Sequence, residues 1–202
     1  MRVEILQELE PEDDKLEIPW ACPNDPRLSY IDLKSFPEKI DQLEECRGRA
    51  PLAELLRKIN APGSGFRSAK CDAWTTTEFA EDERLDFKLP FKIGSYVDLV
   101  FERPELNSQL EHHLQLAEKI RQILGRWRVQ AQAEIAVRHC LFRPEKRWGY
   151  YLTVFAHAYG STIKEAEEEW SRALCALGDT FVEIGPKLGR LLVDSAETPS
   201  SQ

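Results

Sequence analysis

Two stretches of the chain share one rhythm of apolar and polar positions. Gly94-Ser95-Tyr96-Val97-Asp98-Leu99-Val100-Phe101 and Gly149-Tyr150-Tyr151-Leu152-Thr153-Val154-Phe155-Ala156 each follow a glycine with residues that alternate between the faces of a pleat. With the glycines superposed, Tyr96 meets Tyr151, Val97 meets Leu152 and Leu99 meets Val154. Each stretch has a second strand-like run before it and a helical run after it. The pattern predicts strands over 68–79 and 91–102 and a helix over 104–124, then strands over 129–142 and 149–159 and a helix opening at Thr162. Leu106, Leu110, Leu114, Ala117, Ile120 and Leu124 line one side of the first helix. In the second, Thr162 with Glu165 three residues later is a capping box, and Ile163, Ala166, Trp170, Ala173 and Leu177 face inward. Gly125 and Gly178 are read as left-handed helix ends.

The pattern therefore predicts a duplicated ββα unit, with copies over 66–125 and 126–178. Two such units close into a four-stranded antiparallel sheet with its helices on one face, a two-layer α+β sandwich. Ahead of them, Pro11, Pro19, Pro23 and Pro26 break any long element. Only the alternation of Val3, Ile5 and Leu9 predicts a strand there. Trp20 and Tyr30 anchor an ordered loop, and prolines open short accessory helices at 37–45 and 51–59. The resulting division is an accessory segment 1–62, a core domain 63–185 and a C-terminal tail 186–202, frayed from Ser195 onward, with the acidic loop Glu81-Asp82-Glu83 joining the first two core strands.

Composition narrows the class. With 42% hydrophobic and 31% charged residues the 202-residue chain has ordinary globular make-up, and no run approaches the length of a membrane span. The first residues lack a signal peptide's apolar core, so a cytoplasmic location is expected. Five cysteines without a CxxC pair point to reduced thiols, with neither a disulfide framework nor a metal site. No cofactor is expected.

The net charge is −8, and residues 1–62 hold nine Lys/Arg against fourteen Asp/Glu. Such a chain is poorly suited to a phosphate backbone, and nucleic acid is not an expected partner. One stretch departs from this: residues 126–147 carry six Lys/Arg against two Glu. It reads as a solvated strand edge or the landing site of an acidic partner.

The alternation places Trp74, Tyr96, Asp98, Gln130, Gln132, Glu134, Arg138, Phe142, Tyr151, Thr153, Phe155 and His157 on the sheet face turned away from the helices. Three occupants fit such a face: the N-terminal segment, a partner protein or second copy, or a small ligand. Trp74, Tyr96, Glu134, Arg138, Tyr151, Phe155 and His157 are the candidate contact residues. His157 is placed beside Glu134, either as a proton-transfer pair or as a cross-strand pair, whereas His139 falls on the core side and His112 and His113 diverge on a helix. No nucleophile elbow, HExxH, phosphate loop or dinucleotide fingerprint is present, so no catalytic residue is assigned. The expected function is a non-enzymatic interaction or regulatory protein, a homodimer or the binder of another protein, using the aromatic sheet face or an edge. The alternative is a small-molecule or catalytic cleft at the pseudo-twofold axis of the sheet.

Overall fold

Eight strands occur among the described residues of the computed structural model, which are 1–13, 15–22, 25–79 and 87–193, and the long ones follow alternating apolar positions. In chain order the eight are β1 (Arg2–Glu8), β2 (Leu16–Ile18), β3 (Ala21–Cys22), β4 (Asp25–Ser29), β5 (Phe66–Thr76), β6 (Phe91–Phe101), β7 (Ala131–Phe142) and β8 (Arg147–Gly160). The four α-helices among the described residues are α1 (Ala50–Ile59), α2 (Leu110–Leu124), α3 (Ile163–Ile184) and α4 (Leu188–Val193). The predicted acidic loop Glu81-Asp82-Glu83 and the tail from Ser195 lie outside the described residues.

The fold is mixed α/β around a six-stranded open sheet of order β1–β7–β8–β6–β5, with β2 joining the same edge of β7 beyond β1. β3 and β4 form a separate small hairpin. The hairpins β5–β6 and β7–β8 are antiparallel, as is the seam between β6 and β8. The expected four strands are thus part of a larger, mixed sheet, because β1 and β2 add to β7 in parallel. Alternation in residues 2–8 marks a strand but carries no information about its partner, which lies more than a hundred residues away.

α1, α2 and α3 share one apolar cluster with the inward column of the strands. Leu52, Leu56, Ile120 and Leu174 pack there with Val97, Leu99, Ile135 and Val154. Trp170 reaches this core from α3 and donates its indole N–H to Ser95 Oγ at 2.9 Å, so its one polar atom is satisfied within it. Residues 1–62 contribute both β1 to the sheet and α1 to this core.

Several boundaries differ from the sequence reading. The N-cap half of the capping box is present, with Thr162 Oγ1 accepting from the Glu165 N–H at 3.1 Å, while the Glu165 carboxylate accepts from the Ser161 N–H one residue earlier at 2.9 Å. The helix it opens does not end at Gly178, however, but continues to Ile184. A Cβ on Gly178 would meet Lys58 Cδ at 2.6 Å, so this glycine serves the close approach of α1 to α3. Gly125 caps α2 in right-handed geometry, with φ −59°. Residues 37–42 and 44–46 form 3-10 turns where one helix was expected, and a 3-10 turn over Pro104–Ser108 precedes α2. No helix among the described residues is long and apolar enough to cross a membrane.

Candidate functional site

Strand register sorts the face away from the helices into rows that cross five strands. One row holds Asp72, Tyr96, Phe155, Glu134 and Glu4. The row on one side holds Trp74, Gly94, His157, Gln132 and Arg2, and the row on the other holds Lys70, Asp98, Thr153, Ala136 and Leu6. These rows give the face two unlike halves.

One half is covered. β2 lays Leu16 and Ile18 over a second apolar cluster of Ala69, Val100, Cys140, Phe142 and Tyr151. Trp20 extends the cover by donating its indole N–H to the Ala69 carbonyl at 2.7 Å. Tyr151, expected as a contact residue, is here an interior side chain, 3% exposed. Burial pushes its phenol up to about 12. The sequence placed it on the correct face, but nothing in the sequence revealed that three residues of β2 close over it.

A polar chain divides the halves. Arg138 Nε donates to Glu8 Oε2 at 2.6 Å, Arg138 Nη1 donates to Thr153 Oγ1 at 3.2 Å, and the Thr153 hydroxyl donates to Asp98 Oδ1 at 2.6 Å. The chain thus links β1, β7, β8 and β6. Asp98 is 5% exposed, and burial pushes its carboxyl up to about 6 against the opposing pull of Thr153, Lys70 and Arg138. Arg138, also expected as a contact residue, is committed to Glu8 and Thr153 and additionally lies over the Phe155 ring at 5.5 Å.

The other half is aromatic and only partly covered. Trp74, Tyr96 and Phe155 are half-buried, and His157 lies deeper. Ring centroids are 6.4 Å apart for Trp74–Tyr96, 6.0 Å for Trp74–His157, 5.8 Å for Tyr96–Phe155 and 6.1 Å for Phe155–His157, so the four rings form one continuous group. Gly94 makes this possible. A Cβ there would stand 2.5 Å from the Trp74 ring atoms, because the indole lies directly over the backbone of β6. Gly94→Ala is expected to push Trp74 off His157 and Tyr96 and to cost about 1–3 kcal/mol. Near-ultraviolet circular dichroism and a urea melt check this; an unchanged aromatic signal would count against the packing described.

Carboxylates flank the aromatic group. Asp72 stands opposite Tyr96 on one side and Glu134 opposite Phe155 on the other. Glu134 Oε1 is 3.6 Å from His157 Nδ1, the cross-strand neighbour that the sequence suggested. Lys70 Nζ sits 5.8 Å over the Tyr96 ring and 5.5 Å over Trp20. Farther along β8, Tyr159 continues the outward column and is sealed by Phe87, stacked at 3.8 Å, and by Phe79.

The remaining candidates resolve as structural. His113 is buried against Phe101, with Nδ1 2.9 Å from the Gln109 carbonyl, and burial lowers its pKa to about 4. His139 packs against Tyr150 on the core side. All five cysteines are free, and no group of metal-ligating side chains occurs among the described residues. Of the main clefts, one of about 430 Å³ lies at the outer edge of β5 beside Trp20 and Lys70, and one of about 700 Å³ lies at the turn before β7. Neither is lined by Trp74, Tyr96, Phe155 or His157.

Sequence reasoning placed Asp98 on this face without counting it among the contact residues, and did not place Glu8 or Lys70 there. Asp98 had a signal, a lone carboxylate within Val97-Asp98-Leu99-Val100. Glu8 had none, since its role depends on the pairing of β1 with β7. No protein-family profile matches the chain, and neither a curated protein nor a solved structure is significantly similar to it.

Proposed function

We propose that the chain is a protein-binding module whose uncovered aromatic half takes a basic, apolar segment of a partner protein. The observation that carries this reading is the row Asp72–Tyr96–Phe155–Glu134, an aromatic centre with a carboxylate at either end. Aromatic side chains supply contact area with little loss of rotamer entropy, and the flanking carboxylates favour lysine or arginine beside rings over which Lys70 and Arg138 already stand. Two copies meeting face to face would bring these carboxylates together, so a basic partner suits the face better than a second copy. Behind the face, β5–β6–α2 and β7–β8–α3 are read as two copies of one ββα unit. What supports this is that the second strand of each hairpin lies at the centre, side by side with the other.

The test is fluorescence anisotropy with two labelled ten-residue peptides, one alternating lysine and leucine, the other glutamate and leucine. The lysine peptide is expected to bind, and Tyr96→Ala and Phe155→Ala each to weaken it about tenfold, as central contact residues do. Asp72→Lys should weaken it further at low salt than at high salt. Equal binding of both peptides, or variants that bind like the wild type, would refute the reading. A dimer that Phe155→Glu dissociates in light scattering would replace the partner with a second copy.

A further inference from the structure

The turn between α2 and β7 is fixed along its backbone while the side chains it presents are idle. Gly125, Arg126 and Trp127 donate their N–H groups to the carbonyls of Arg121, Ile123 and Leu124. The Trp127 carbonyl accepts from the Met1 amino group, and the Arg128 carbonyl accepts from Arg172 Nη2 at 2.8 Å. The Gln130 N–H donates to Glu169 Oε2 at 2.7 Å. In contrast, the side chains of Arg126, Trp127 and Arg128 make no hydrogen bond, ion pair or ring contact among the described residues, and all three are exposed.

Glu169, the carboxylate that lines the adjoining cleft, does not neutralise them. It is committed to Arg172 and to the Gln130 N–H. Arg126 and Arg128 stand just beyond the α2 C-terminus, whose negative end favours cations there, but no side-chain partner occupies their guanidinium donors among the described residues. What remains is an exposed indole, 37% accessible, between two unpaired guanidinium groups at the mouth of an open cleft of about 700 Å³. That volume lies within the range of roughly 300–1,000 Å³ that small-ligand sites occupy.

We propose that this turn is a nucleotide site, in which Arg126 and Arg128 hold the phosphates and Trp127 stacks on the base. Guanidinium groups bind phosphate oxygens through paired, charge-assisted hydrogen bonds, and a base offers an indole a flat partner that an acidic polypeptide lacks. A long nucleic acid fits less well, because the basic turn is small and the chain as a whole carries −8. The fixed backbone removes the cost of ordering the turn itself, so that binding has only the side chains left to order. This site is separate from the aromatic sheet face and stands or falls independently of it.

Isothermal titration of the full chain at low ionic strength, with ATP, inorganic tripolyphosphate and deca-glutamate as probes, tests the proposal. ATP is expected to bind at one site, and the Arg126→Ala/Arg128→Ala double variant to abolish binding. Trp127→Ala should weaken ATP about tenfold and leave tripolyphosphate unchanged. Arg126 and Arg128 are exposed and unpaired, so their double variant should melt as the wild type does, and Trp127→Ala is compared with the wild type below its own melting temperature. Failure of ATP to bind at millimolar concentration, or ATP binding that the variants leave intact, overturns the site. Tripolyphosphate binding as tightly as ATP overturns the stacking role and with it the nucleotide. Deca-glutamate binding more tightly than ATP makes the turn a landing site for an acidic protein instead.

Discussion

Replacing Trp170 with alanine is expected to remove about 3–5 kcal/mol of stability, the range for deleting a large aromatic side chain from a core. Two effects act together. The indole fills the space between α3 and the inward column of β6, so its loss leaves a cavity lined by packed side chains that relax only partly. Its N–H also satisfies the Ser95 hydroxyl, which is 1% exposed and would be left buried without that partner. Trp170→Phe separates the two: it keeps most of the apolar area, loses the hydrogen bond, and should cost about 1–3 kcal/mol. Urea unfolding of the three proteins measures both. A loss below about 1 kcal/mol for Trp170→Ala would mean that the site repacks freely, contrary to the close packing that cores show.

Asp98 carries the second large effect, read as a dependence on pH. Burial raises its carboxyl in the folded chain to about 6, above the unfolded value of 3.8. The folded state therefore holds the proton more tightly than the unfolded state, and stability falls as pH rises through this interval. The contribution is fully present below pH 3.8 and lost above about 6, and the roughly two-unit difference corresponds to about 3 kcal/mol. The groups facing Asp98 act in the opposite direction: the Thr153 hydroxyl and the charges of Lys70 and Arg138 favour the carboxylate. Other carboxylates titrate in the same interval, so the diagnostic quantity is wild type minus Asp98→Asn, measured by urea unfolding from pH 4 to 7. Between pH 4 and 7 that difference should decline by about 2 kcal/mol, since part of the unfolded-state titration lies below pH 4. A flat or rising difference would show that the cations outweigh burial.

What was legible in the chain was local. The alternation in 94–101 and 149–156 placed Val97, Leu99, Leu152 and Val154 inside and Tyr96, Phe155 and His157 outside, because the faces of a strand follow from parity alone. The N-cap at Thr162 was equally local. Pairing and cover were not legible. Val3 and Ile5 signalled a strand, yet neither its partner β7 nor its parallel direction is written in residues 2–8. Leu16 and Ile18, set among acidic residues and prolines, gave no sign that they would bury Tyr151. Gly178 fits a helix terminator as well as a helix contact, and only the nearness of Lys58 decides between them. The candidate site divided in the same way: Trp74, Tyr96, Phe155 and His157 came together as their parity required, while Arg138 and Tyr151 were drawn into interior contacts by the N-terminal segment.

The parallel docking of β1 also sets an order of events during folding. Glu8 and Arg138 are 130 residues apart in the chain. Closing a loop of that size costs about 4 kcal/mol of chain entropy before any contact repays it, whereas the two hairpins close over far shorter spans. The hairpins and their seam are therefore the natural early structure, with β1 arriving late. Until it does, β7 is an open strand edge, and the Arg138 guanidinium beside Thr153 lacks its carboxylate. An open edge invites pairing with other chains. Residues 2–8 thus do two things at once, supplying the Glu8 carboxylate to Arg138 and moving the open edge of the sheet from β7 to the short strand β1.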